Sequence, residues 1–256
     1  MRVRRLLPVC SRLLALGAVT LALCGAGPPT AHAQSEPAAP PWGEVWAGAE
    51  ATPDAWAVYS GTTIAPFGGL HAPGFRLRAV GGYGRYGYDG NRLVGGKVVV
   101  PTAFRGTVSF TEALVGWQVG LGSLTSKAFV GYAYETRLVS PHDPVTRLTG
   151  AASGVKLALE NWVDLGPRWW GALDGSWSSV HSSYWTRARI GWRAIGRLSV
   201  GLEAGAVGNR EYDAMRAGLL LRYEWSGGEV SGSFGTSGDY QRPTSPYASV
   251  NLLTKF

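Results

Sequence analysis

Between residues 184 and 223 the hydrophobicity of the chain alternates with a period of two, a pattern that only strands can use. From Tyr184 the even positions Tyr184, Thr186, Ala188, Ile190 and Trp192 are apolar or nearly so, while Arg187, Arg189 and Arg193 occupy odd ones. Successive side chains of a strand point to opposite faces, so one face is greasy and the other carries three guanidinium groups. The pattern recurs twice. Leu198, Val200, Leu202, Ala204 and Ala206 oppose Ser199, Gly201, Glu203 and Gly205, and then Met215, Ala217, Leu219, Leu221, Tyr223 and Trp225 oppose Arg216, Gly218, Arg222 and Glu224. Alternation of this kind fixes the strands and leaves open whether the greasy face looks into a core or out into lipid.

Turn signals divide the rest of the chain into segments of the same kind. Strands are expected at about 43–51, 55–65, 74–86, 107–120, 125–138, 148–163, 168–179, 184–193, 198–207, 214–225, 229–238 and 247–256, and no window sustains a 3.6-residue apolar period. Tight breaks at 122–124, 165–167, 195–196 and 226–228 alternate with longer connectors at 87–106, 139–147, 208–213 and 239–246. Short turns at one end and longer loops at the other are the habit of outer-membrane barrels. The first hairpin departs from it, with a short 52–54 turn where a loop is expected and a long 66–73 connector where a turn is expected. Charged residues make up only 16% of the chain, which leaves the outer faces to Trp117, Val119 and Leu121, to Val130, Tyr132 and Leu138, to Val155, Leu157 and Leu159, and to Trp169, Leu173, Trp177, Ile190 and Trp192. Backbone groups in hydrocarbon must all be paired, which for a β-protein requires closure. The expected fold is therefore all-β, a transmembrane antiparallel up-and-down β-barrel of about 12 strands. A soluble secreted sandwich or barrel is the alternative.

The ends set the compartment. Arg2, Arg4, Arg5 and Arg12 flank an apolar run that closes on the small-residue site Ala31-His32-Ala33, which predicts a signal peptide over 1–33. Its removal takes both cysteines, Cys10 and Cys24, and leaves 20 Lys+Arg against 17 Asp+Glu. The apparent basicity is thus mostly a targeting device, and a nucleic-acid partner is not expected. A lipoprotein anchored through Cys24 is disfavoured by Leu23 before it. Residues 34–42 read as a proline-rich periplasmic arm and 43–256 as the barrel domain.

On the faces opposite the greasy ones the alternation places a charge network: Arg76, Arg78, Lys127, Arg137, Lys156, Arg187, Arg189, Arg193, Arg216 and Arg222, with Glu112, Glu135, Glu160, Asp174, Glu203 and Glu224 among them. Mixed signs at close range favour pairing into a filled interior, and a net-basic passage or ligand-binding lumen is the competing reading. Tyr86, Tyr88, Tyr212 and Tyr240, near predicted loops, are the candidates for carbohydrate contact. Gly82 to Gly87 matches G-x-G-x-x-G without the helix that a dinucleotide site needs. His181 with Ser183, and Asp174 as a third group, would be the parts of a lipid hydrolase, although adjacent loop serines are usually only loop. His142-Asp143 lacks further ligands for a metal, and no cofactor is expected.

The runs GFRLRAVGGYGRYGY (74–88), SYWTRARIGW (183–192) and VGLEAGAVGNREYDAMRAG (200–218) resemble the cellulose biosynthesis protein BcsS family. The likeness extends from about Trp46 to the C-terminus. It implies an outer-membrane protein associated with cellulose synthesis or secretion and carries no catalytic residues with it. The expectation is a non-enzymatic barrel accessory to cellulose biosynthesis, in contact with outer-membrane lipid and with cellulose or its synthase/export complex. Phe256, closing the alternating YASVNLLTKF, is the expected signal for the barrel-insertion machinery. A small-solute porin and a lipid-modifying barrel enzyme are the alternatives.

Overall fold

A computed structural model describes residues 40–94, 98–239 and 244–256. The predicted signal peptide, most of the predicted arm, and Tyr240 lie outside these residues. Twelve strands follow one another: β1 (Gly43–Ala51), β2 (Ala55–Ile64), β3 (Gly74–Val94), β4 (Val98–Leu121), β5 (Leu124–Ser140), β6 (Gly150–Asp164), β7 (Trp169–Ser178), β8 (Tyr184–Ile195), β9 (Leu198–Asn209), β10 (Tyr212–Trp225), β11 (Gly228–Asp239) and β12 (Ser245–Lys255). Each pairs antiparallel with its chain neighbours, and β12 returns to β1 from Glu44↔Lys255 to Ala51↔Ala248, closing the ring. Closure leaves the main chain of the wall without an edge, which is the condition for a sheet to stand in hydrocarbon.

Gly43 and Phe256 meet at one end of the barrel, where Phe256 and Gly43 exchange backbone hydrogen bonds of 2.9 and 3.0 Å. The connections after β2, β4, β6, β8 and β10 lie at this turn end, and the others at the opposite, loop end. Two predicted connectors are corrected. Residues 87–106 are not a loop: β3 and β4 continue through them as a ribbon from Gly87↔Arg105 to Val94↔Val98. Glycine, Asn91 and Pro101 look like turn chemistry there, but a two-stranded ribbon needs no buried face, and proline is tolerated on an open edge. The predicted 208–213 loop shrinks to Arg210 and Glu211, the only residues between β9 and β10.

The greasy face is outside. Val115, Val130, Leu157, Leu173, Leu202, Leu219 and Phe234 are all exposed on the outer wall. Two aromatic belts flank this band, with Trp117, Trp169, Tyr223 and Phe256 toward the turn end and Trp56, Tyr134, Trp177 and Tyr212 toward the loop end. Such girdles mark the two interfaces of a bilayer around a barrel. A soluble sandwich would bury these residues.

The inner face is filled by side chains that rest on glycines of neighbouring strands. Trp170, fully buried, lies with its indole against Gly191 on β8, and Tyr86 lies with its ring against Gly106 on β4. A Cβ at either glycine would collide with the ring, so the rings can lie flat only because no side chain stands there.

Candidate functional site

The inward residues are positioned by strand parity, and the wall brings them together across the lumen as well as along it. Nearest the turn end, residues 65–73 fold inward to cap the barrel. Leu70 is buried, and its N–H donates to the carbonyl of Pro41 at 2.8 Å. Arg76, fully buried, spends its donors on carbonyls: Phe75 at 2.8 Å, Leu70 at 3.2 Å, and Ala72. Gln118 adds a donor to Leu70 at 3.0 Å. Arg76 is thus a clamp on the inturned segment rather than a member of the ion-pair network.

Above this cap, Arg78 on β3 reaches Glu160 on β6 at 2.6 Å and lies over the Phe129 ring at 3.9 Å. Lys127 on β5 lies 3.2 Å from Glu44 on β1 and 3.7 Å from Glu160. Arg222 pairs with Glu224 at 2.8 Å and with Glu229, and stands over the stacked indoles of Trp162 and Trp170 on β6 and β7. Asp174 receives Arg187 at 3.2 Å and Arg189 at 3.0 Å. Arg216 on β10 reaches Glu50 on β1 at 2.7 Å, while Glu203 accepts from Ser233 and Tyr247 at 3.1 and 3.3 Å. Arg193 pairs with Asp164 at 2.5 Å in a more exposed position at the turn end.

Toward the loop end, Lys156 meets Glu112 at 2.7 Å, and Glu135 sits between Arg137 and His181, 3.7 Å from the latter. The loop after β5 folds in over this level. Asp143, buried, accepts from the Tyr88 hydroxyl at 2.7 Å and from the N–H of Val145 at 2.9 Å. Glu211 takes the Thr146 hydroxyl at 2.8 Å and the Arg147 N–H at 2.7 Å. Burial alone would raise the Asp143 carboxyl, but these hydrogen bonds outweigh it and hold the group below its ordinary value. Burial lowers the His181 imidazole, against the opposing pull of Glu135.

Most of the charges named from sequence therefore enter a mixed-sign network. Alternation also held the members missed above: Glu44 and Glu50 share the inward parity of β1 with Trp46, while Asp164 and Glu229 sit beside turns, where parity is harder to read. These four added carboxylates cancel the basic excess of the lumen faces, ten cations against six carboxylates, that the alternation alone gives. The tyrosine candidates separate. Tyr86 and Tyr88 stack inside on each other and on Phe104, and Tyr212 is exposed on the outer belt. The parts of the hydrolase do not converge as named. Asp174 is engaged by two arginines, the group beside His181 is Glu135, and the Ser182 hydroxyl accepts from Arg210 at 3.3 Å. Among the described residues no group of three or more His, Cys, Asp and Glu is arranged to hold a metal.

A closed antiparallel wall, an apolar belt outside and paired charges inside define a β-barrel of the membrane-spanning kind. The chain belongs to the cellulose biosynthesis protein BcsS family, whose model matches residues 45–256. No curated protein matches it. Among solved structures it is similar to the KdgM porin, at 10% identity and TM-score 0.47, covering 83% of this chain and 99% of that one. It is also similar to the translocator domain of autotransporter NalP from Neisseria meningitidis, at 10% identity and TM-score 0.48, covering 84% and 88%. The Escherichia coli outer membrane phospholipase A gives 13% identity and TM-score 0.43, covering 84% and 94%. The fold assignment rests on the strand pairing itself.

Proposed function

We propose that this protein is a non-enzymatic outer-membrane barrel that serves cellulose biosynthesis as an accessory at the cell surface, without passing the glucan through its own lumen. The observation that carries this reading is the set of ion pairs spanning the interior, Lys127 to Glu44, Arg78 to Glu160 and Arg216 to Glu50, each joining strands that are not neighbours. A sugar chain entering the lumen would have to part several of these pairs at once and leave charges unmatched in the interior, a cost of about 2 kcal/mol for a pair such as Arg78 with the one-third-exposed Glu160. Outer-membrane barrels place their termini and short turns in the periplasm, which puts the β3–β4 ribbon and the 141–149 loop outside the cell.

The test is a deletion strain compared with its complemented parent for cellulose made and cellulose held at the surface. The reading expects retained cellulose to fall and to be restored by the wild-type chain. Unchanged synthesis and retention would sink it. The inward network also predicts that Arg189→Leu lowers thermal stability more than it alters cellulose output; the reverse would favour a working passage.

A further inference from the structure

Strand parity sends the cations of the wall inward, and two arginines break the rule. Among the described strand residues, every Lys and Arg except Arg85 and Arg105 has inward parity. Arg85 on β3 lies directly opposite Trp56 of the loop-end belt, and opposite residues of a ladder share a face. Arg105 keeps the odd parity of Val115 and Trp117, which are exposed on the outer wall of β4. Both arginines are exposed. They stand at and just beyond the aromatic belt, the level at which a bilayer carries its headgroups.

The two lie on adjacent strands and converge. Arg85 is opposite Thr107, and Arg105 is two residues further along β4, opposite Gly87 on one side and Ser140 on the other. Diagonal neighbours of this kind are about 7–8 Å apart, within reach of long side chains. A Cβ at Gly87 would meet nothing nearer than the Phe104 carbonyl at 3.6 Å, so no side chain on β3 stands directly beside Arg105. Arg85 donates through Nε to the Tyr83 hydroxyl at 3.1 Å, and the Tyr83 ring rests against Trp56 with centroids 5.7 Å apart. That tie holds one guanidinium at the belt with its terminal nitrogens as a fork. Toward the membrane the outward positions of β3 and β4 are small, with Gly81 followed by Ala79 opposite Ala113. Of the carboxylates on this side, Asp54 and Asp89 stand level with Arg105 or beyond it, and each is itself engaged.

We propose that Arg85 and Arg105 form a site on the outer wall for the phosphate headgroup of an outer-leaflet lipid, whose acyl chains lie down the small-residue face beneath. A guanidinium on the lipid side is tolerated where its head reaches the interface, and the anions met there are those of the bilayer itself. Arginine forks match phosphate oxygens in pairs, and two forks from adjacent strands take a phosphate that carries two charges better than either does alone. The site rests on the loop end facing outward and does not depend on the cellulose reading.

The refolded full chain in detergent is titrated at neutral pH with dioctanoyl phosphatidic acid, with dioctanoyl phosphatidylcholine, whose phosphate is offset by its own ammonium, and with inorganic phosphate. Native mass spectrometry counts the bound lipid. Phosphatidic acid should bind about tenfold more tightly than phosphatidylcholine, and inorganic phosphate should not displace it at equal concentration. Arg85→Gln and Arg105→Gln should each weaken phosphatidic acid about tenfold, the loss of a charge-assisted contact. Arg197→Gln, which removes an exposed cation from the β8–β9 turn at the other end, should stay within about twofold of wild type. Heat-modifiable gel mobility shows that each variant is folded. Equal affinity of the wild-type chain for the two lipids, or unchanged binding by the folded Arg85 and Arg105 variants, would overturn the proposal. An equal loss in Arg197→Gln would reduce it to general attraction, and displacement by inorganic phosphate would give the site to the free ion; either result overturns the lipid assignment.

Discussion

Lys127 on β5 lies 3.2 Å from Glu44 on β1, a pair that bridges the lumen between strands four places apart in the ring. With Arg78 joining Glu160 and Lys127 also near Glu160, one carboxylate on β6 ties together β3 and β5. The interior at this level behaves as a polar core in which opposite charges replace the aliphatic packing of a soluble domain.

Glu160→Gln should leave Arg78 and Lys127 short of countercharge. A fully buried pair broken on one side costs about 3–5 kcal/mol, and the third of its side-chain surface that Glu160 retains reduces this to about 2 kcal/mol. Urea unfolding in lipid vesicles measures the loss. Replacing both partners, Arg78→Leu with Glu160→Leu, should cost less than the single change, because no charge is then stranded.

Gly191→Ala should force the Trp170 indole out of its flat seat, an overpacking penalty of about 1–3 kcal/mol. Thermal melting of the refolded barrel is the readout. The same substitution at Gly122, where a Cβ would meet nothing, should lose less from packing, although its φ of +62° adds a backbone cost.

The inturned 141–149 loop should be held at neutral pH and released by acid. Asp143 has its carboxyl depressed, so its contribution is complete above its unfolded value of about 3.9 and is lost as pH falls from there through the folded value. Exchange of the Val145 amide, which donates to Asp143, should quicken over that window, and Tyr88→Phe should move the quickening to higher pH.

Phe256 packs edge-on to Trp42 with centroids 5.0 Å apart and seats its ring against Gly43, joining the residue after β12 to the start of β1. Phe256→Ala should lower the fraction of cellular protein that shows heat-modifiable mobility, since it weakens the seam and removes the residue expected to signal assembly. Normal assembly of the variant would count against that role.

Strand number and face assignment were legible in sequence because parity is local: Arg187, Arg189, Glu203 and Arg216 declare their side by their neighbours. The same rule would have found Glu44 and Glu50, but their alternate positions are mostly alanine, a weak apolar signal. The reach of β3 and β4 was hidden for a different reason. Only Tyr88 and Phe104 pack inward at the base of the ribbon, too few to show an alternation, and its glycines and proline imitate a loop. Which charges pair was not legible at all, since Lys127 and Glu44 are 83 residues apart in the chain and meet only through closure of the ring.

Paired charges and two inturned segments fill this barrel, so it should not conduct. Planar-bilayer recording of the refolded full chain at neutral pH tests it most directly. The account predicts no steady conductance above the bare membrane, with leakage appearing only when cross-lumen pairs are removed, as in Glu160→Gln combined with Arg216→Leu. A stable ohmic conductance from the wild-type chain would contradict it.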